Sequence, residues 1–182
     1  MHRTTLLIIA TFLAMCTQLF SGDATFYGGV QNPGALNFNN VLEVASVSNK
    51  SGAVFGARVS GGQVLGFEWS AGVSPSFLES SQWAFNTQTN LIIGIPAEKF
   101  VPYGTVGAGF IRTGGALTVI RDIGSRFTIN YGGGLKIRNL AGPIGVRFDI
   151  RGYTIPRISV GSANLQTHLN FLESTMGLLF SW

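Results

Sequence analysis

The ten residues from Ile144 to Tyr153, IGVRFDIRGY, constrain this chain more than any other stretch. Ile144, Val146, Phe148 and Ile150 fall on one side of an extended backbone, and Arg147, Asp149 and Arg151 fall on the other. A two-residue period rich in β-branched and aromatic side chains is the pattern of a half-buried strand. Gly142-Pro143 before it and Thr154-Ile155-Pro156 after it are breaker signals that bound it. Alternation alone leaves open which face meets water. In a soluble sandwich the Ile/Val/Phe face is the core, whereas in a membrane barrel it meets lipid and the charged face lines the interior.

Composition favours the second arrangement. Charged residues make up 11% of the 182, against about a quarter in ordinary soluble proteins. With 46% hydrophobic residues and 14 Phe, too little charge remains to cover a water-facing surface. The 25 glycines argue against a helical protein. The net charge of +4 comes from scattered Lys and Arg rather than a run, so no nucleic-acid partner is expected.

Met1-His2-Arg3 followed by Leu6 to Cys16 has the basic start and short apolar core of a secretory signal peptide, too short to span a bilayer. A buried N-terminal helix is the alternative reading. Gly22-Asp23-Ala24 places small residues at the two positions a cleavage site needs, which sets the expected leader at residues 1–24 and the barrel domain at 25–182. Ser21-Gly22 is a second possible site. Leu13-Ala14-Met15-Cys16 resembles a lipoprotein box except for the bulk of Met15, so Cys16 is expected to leave with the leader. The mature chain then has no cysteine for a disulfide or for thiolate chemistry.

Alternation recurs along the rest of the chain. Ala24 to Val30 reads as a first strand, Gln31 to Ser51 as a long Asn-rich loop, and Gly52 to Ser60 as a strand ending at the turn Gly61-Gly62-Gln63. Leu65, Phe67, Trp69, Ala71 and Val73 alternate with Gly66, Glu68, Ser70, Gly72 and Ser74, and the short turn is expected to set Arg58 opposite Glu68. Further strands cover Trp83 to Ile95, Phe100 to Ile111, Arg126 to Arg138, the opening stretch, and Leu169 to Trp182. Residues 31–51, 75–82, 112–125 and 154–167 are the expected long loops. About eight strands of roughly ten residues, with tight turns at one end and long loops at the other, describe an eight-stranded antiparallel up-and-down transmembrane β-barrel.

KFVPYGTVGAGF, NYGGGLKI, GPIGVRFDIRGY and a terminal strand ending LLFSW resemble the small bacterial outer-membrane β-barrels of the OmpA and OmpX type. The resemblance covers most of the mature chain, best from Phe100 onward. It implies the bacterial outer membrane as location, with membrane lipids and lipopolysaccharide as surroundings. It also implies that Phe180 and the terminal Trp182 are read by the barrel-assembly machinery. Arg112, Arg121, Arg126 and Arg157, in or beside two neighbouring loops, become candidate contacts to lipopolysaccharide phosphates. The family's activities range widely, so the resemblance specifies fold and place better than role. Leu179 departs from the pattern, as an apolar residue on the interior face.

Arg58, Glu68, Lys136, Arg147, Asp149, Arg151 and Glu173 are all expected to point inward. An eight-stranded barrel has an interior just wide enough for side chains to fill, so a closed, salt-bridged lumen is preferred over an ion-selective pore. His168 with Ser162 or Glu173 is the one candidate for a lipid-modifying rim enzyme, but its His-Leu-Asn context lacks the His-x-Ser spacing of such enzymes. No metal-ligand spacing and no phosphate-loop context is present, so neither metal nor cofactor is expected. The expectation is a monomeric, non-enzymatic outer-membrane barrel that acts through its loops or braces the membrane. A soluble secreted barrel that binds an apolar ligand is the alternative.

Overall fold

The computed structural model describes residues 22–33, 51–62, 64–77, 83–95, 97–114, 125–160 and 165–182, with the backbone alone for 33, 157–160 and 165–168. Residues 1–21 of the expected leader, Cys16 among them, lie outside this set, as do Arg121 and Ser162. The described chain forms eight strands: β1 (Gly22–Pro33), β2 (Gly52–Gly61), β3 (Leu65–Ser74), β4 (Trp83–Gly94), β5 (Phe100–Gly114), β6 (Ser125–Ala141), β7 (Ile144–Val160) and β8 (Leu165–Ser181). Each pairs antiparallel with the next, and β1 pairs antiparallel with β8, so the sheet closes in simple up-and-down order. Closure satisfies every ladder without a free edge, which is what a sheet in hydrocarbon requires.

Several strands outrun the sequence expectation. β1 runs from Gly22 to Pro33 rather than from Ala24 to Val30, β5 continues to Gly114, and most of the expected loop 154–167 is strand. Pro156 misled the reading of β7. The β7–β8 ladder breaks between Ile155 and Ile158 and resumes at Ile158↔Thr167, so the proline sits in an irregularity where its missing N–H costs little.

The hairpin of β2 and β3 also differs from the sequence expectation. Arg58 lies opposite Ser70, and Glu68 lies opposite Ser60. The last pair is Gly61↔Phe67, with Gly62 at φ +98° in the turn, so the connection is wider than Gly61-Gly62-Gln63 implied. A shift of two positions keeps every side chain on its face while changing its neighbour.

The outer wall is apolar. Phe67, Trp69, Phe100, Phe110, Ile150 and Leu178 are each half exposed or more, an amount of contiguous apolar surface that a water-soluble monomer does not carry. Phe26 meets Phe180 edge-on near the end that holds the termini and short turns, and Phe110 meets Phe127 edge-on toward the end that holds the long connections. The inner face is polar and filled. Large rings fit there because glycine stands beside them: a Cβ added at Gly134 would lie 2.8 Å from Tyr103 Cζ, and one at Gly56 would lie 2.6 Å from Tyr27 Cζ.

Candidate functional site

The candidate site is the lumen. On β7 the two-residue period sends Arg147, Asp149 and Arg151 inward as neighbours along one strand, all of them buried. Asp149 sits between the two arginines and accepts hydrogen bonds from Arg147 Nε at 2.9 Å and Arg151 Nη2 at 2.7 Å. It also accepts from Arg58 Nη1 across the lumen at 3.0 Å and from the Tyr103 phenol. Glu68 on β3 closes the group from the other side, with Oε2 2.6 Å from Arg147 Nη2 and Oε1 2.8 Å from Arg151 Nη1. Asn90 Nδ2 donates to the same Oε1 at 2.9 Å.

Arg58 ties this group to β8. Its Nη2 donates to Glu173 Oε1 at 2.9 Å and its Nη1 to Thr175 Oγ1 at 3.0 Å, while its guanidinium carbon lies 3.8 Å from the centre of the Tyr27 ring. Charge pairing, hydrogen bonding and ring stacking thus act on one side chain.

Lys136 belongs to a separate cluster, nearer the end that holds the termini. It donates to Asp23 Oδ2 at 2.6 Å and Ser60 Oγ at 3.1 Å, and Asp23 also accepts from Arg138 Nη2 at 2.8 Å and Ser181 Oγ at 2.7 Å. Fully buried charged residues number four acids (Asp23, Glu68, Asp149, Glu173) and four bases (Arg58, Lys136, Arg147, Arg151) among those described, with the partly exposed Arg138 sharing Asp23 with Lys136. At the opposite end the lumen turns apolar. Phe77, Ala84, Ile111, Tyr153, Ile155 and Phe171 form one cluster, with Phe171 stacked on Tyr153 at 4.7 Å and met edge-on by Phe77 at 5.4 Å.

All seven interior charges expected from the sequence are buried, and the geometry divides them into two groups. Asp23 is not legible as an interior charge in the sequence, because its context reads as part of the leader. Sequence reasoning also missed the three phenols Tyr27, Tyr103 and Tyr153, although their inward register was a usable signal. Leu179 is fully buried on the interior face.

Each of the four buried carboxylates among the described residues is ion-paired with a cation. Glu173, a candidate triad acid, is held by Arg58 and lies 3.5 Å from Tyr153 Oη. Ser162 and the His168 side chain lie outside the described residues. No group of three or more His, Cys, Asp or Glu that could hold a metal occurs among the described residues.

At the other sequence-expected positions, Phe180 faces outward and half-buried, and Trp182 is 56% exposed. Trp182 donates its backbone N–H to Gly22 O at 3.1 Å and accepts from Gly22 N at 3.2 Å, which closes the β1–β8 seam at its last residue. Arg112 and Arg126 are both exposed, on adjacent strands. Arg126 pairs with Ile111, whose side chain faces the lumen, whereas Arg112 pairs with Ser125 one residue on. The two arginines therefore start from opposite faces of the wall, not from one patch. Arg157 is in β7, with its side chain outside the described set.

An apolar outer wall, closed antiparallel pairing and a filled polar interior define a class: an eight-stranded transmembrane β-barrel of the bacterial outer-membrane type. No known family model matches the sequence, and no curated protein does. Among solved structures, the fold is similar to Neisserial surface protein A (NspA), with a TM-score of 0.64 at 10% identity over 89% of this chain and 97% of that one. It is also similar to the outer membrane protein OprG from Pseudomonas aeruginosa, with a TM-score of 0.51 at 12% identity over 88% and 96%. The outer membrane enzyme PagL gives 0.49 at 14% identity over 87% and 98%. At these identities the likeness is one of fold.

Proposed function

We propose that this protein is a non-enzymatic integral outer-membrane barrel with a closed interior, which acts at the cell surface through the connections at its long-loop end or braces the membrane. The observation that carries this reading is the lumen. Its charges neutralise one another within the wall, and an apolar plug of Phe77, Tyr153 and Phe171 lies above them. A conducting pore needs a continuous wet path with charge free to meet ions. Here the guanidinium and carboxylate groups are spent on each other, and unpairing them would leave buried charge uncompensated. Catalysis would need a free base beside a nucleophile, and the lumenal carboxylates among the described residues are all ion-paired. The fold by itself argues for neither role, since one scaffold hosts many functions.

The test is conductance in planar bilayers with purified wild-type protein, alongside lipid hydrolysis assays on outer-membrane lipids. The expected outcome is no sustained single-channel steps and no turnover. Stable steps would overturn the closed interior, and lipid hydrolysis that is lost in His168→Ala would overturn the non-enzymatic reading.

A further inference from the structure

Asp23 is 3% exposed and holds four partners: Lys136, Arg138, Ser60 and Ser181. Its charge is the one acid of the cluster at the end that holds the termini. Lys136, itself 4% exposed, has no other carboxylate among its described partners, and its cross-strand neighbour on β7 is the cation Arg147. Without Asp23, Lys136 and Arg147 would stand side by side with three acids left to balance the four buried bases, and Arg138 would lose its ion pair as well. An uncompensated buried ammonium is among the costliest defects a fold can carry. One residue earlier, Gly22 exchanges two backbone hydrogen bonds with Trp182 and packs so closely under the indole that a Cβ there would lie 2.8 Å from the ring. Asp23 and Gly22 are thus structural parts of the barrel.

We infer that the leader is cut no later than the Ser21–Gly22 bond, so that Gly22 and Asp23 remain in the mature protein as the start of β1. Hydrolysis there adds water across the peptide bond, leaving a carboxylate on the leader and an ammonium on the barrel. Cleavage after Ala24, where the small residues Gly22 and Ala24 match a processing site, would instead discard the counter-ion of Lys136 and the seam partner of Trp182.

The full-length chain, expressed in a Gram-negative host and extracted from outer membranes, is read by intact mass and N-terminal peptide mapping. The expected mature species contains Gly22-Asp23. A chain that begins at Asp23, Ala24 or Thr25, or one that keeps the whole leader, overturns the inference. A second variant separates site choice from folding. Ala24 faces outward on β1 and is only partly exposed, and Ala24→Tyr puts bulk where cleavage after Ala24 would need a small side chain. Leader removal in a pulse-chase should proceed at the wild-type rate in Ala24→Tyr, whether or not the barrel then folds. Accumulation of uncut precursor would mean that Ala24 is the processing position and would sink the proposal.

Discussion

Arg58 on β2 and Asp149 on β7 are 91 positions apart in sequence and meet across the lumen at 3.0 Å. The bond joins opposite walls of the barrel, and its acceptor is shared with Arg147 and Arg151 from β7 itself. Asp149→Asn should therefore leave three guanidinium groups competing for Glu68 and Glu173. We expect a loss of about 3–5 kcal/mol, the range for removing one partner of a buried pair. It would be read as a lower urea midpoint in detergent and as loss of the fast-migrating unboiled band that the wild type should show on gels.

Glu68→Ala tests the same network from β3. It removes the carboxylate that bridges Arg147 and Arg151, so it should destabilise by a similar amount, about 3–5 kcal/mol. Planar bilayers should still show no ion-selective conductance. A variant of wild-type stability that passes current would contradict the closed interior.

The apolar plug predicts a different signature. Phe171→Ala deletes a ring stacked on Tyr153 and met by Phe77, and should cost about 3–5 kcal/mol through a cavity that its neighbours cannot fill. The charged layer below it is untouched, so the variant should remain non-conducting. Denaturant titration and bilayer recording on one preparation check both halves.

Deleting Trp182 removes two backbone hydrogen bonds to Gly22 and an exposed indole at the membrane boundary. Refolding into micelles should be nearly intact, with a cost of about 1–3 kcal/mol from lost apolar burial. Insertion in cells should fall sharply if the terminal aromatic strand is also an assembly signal, with the protein accumulating in the periplasm. Normal surface levels would leave Trp182 as an anchor alone.

Lipopolysaccharide contact by Arg112, Arg121, Arg126 and Arg157 is likewise a proposal. Arg112 and Arg126 start from opposite faces of the wall, so Arg112→Gln should weaken retention on immobilised lipopolysaccharide more than Arg126→Gln does. Unchanged retention with all four replaced by Gln would end the idea.

The sequence by itself determined which way the side chains of its clearly alternating strands point. In IGVRFDIRGY the two-residue period is a local property of extended backbone, so Arg147, Asp149 and Arg151 were legible as interior and Phe148 and Ile150 as wall. Glycine placement and the low charge content made a lipid-facing barrel legible too. What only the tertiary structure decided is who meets whom. Arg58 was expected beside Glu68, but the width of the β2–β3 connection moved it opposite Ser70 and freed it to reach Asp149 and Glu173. Lys136 points inward as its strand pattern predicts, yet its partner is Asp23, a residue whose sequence context reads as leader. Partners across a lumen depend on the stagger that accumulates from strand to strand until the sheet closes. That quantity is set by every turn together, and no single segment of the chain encodes it.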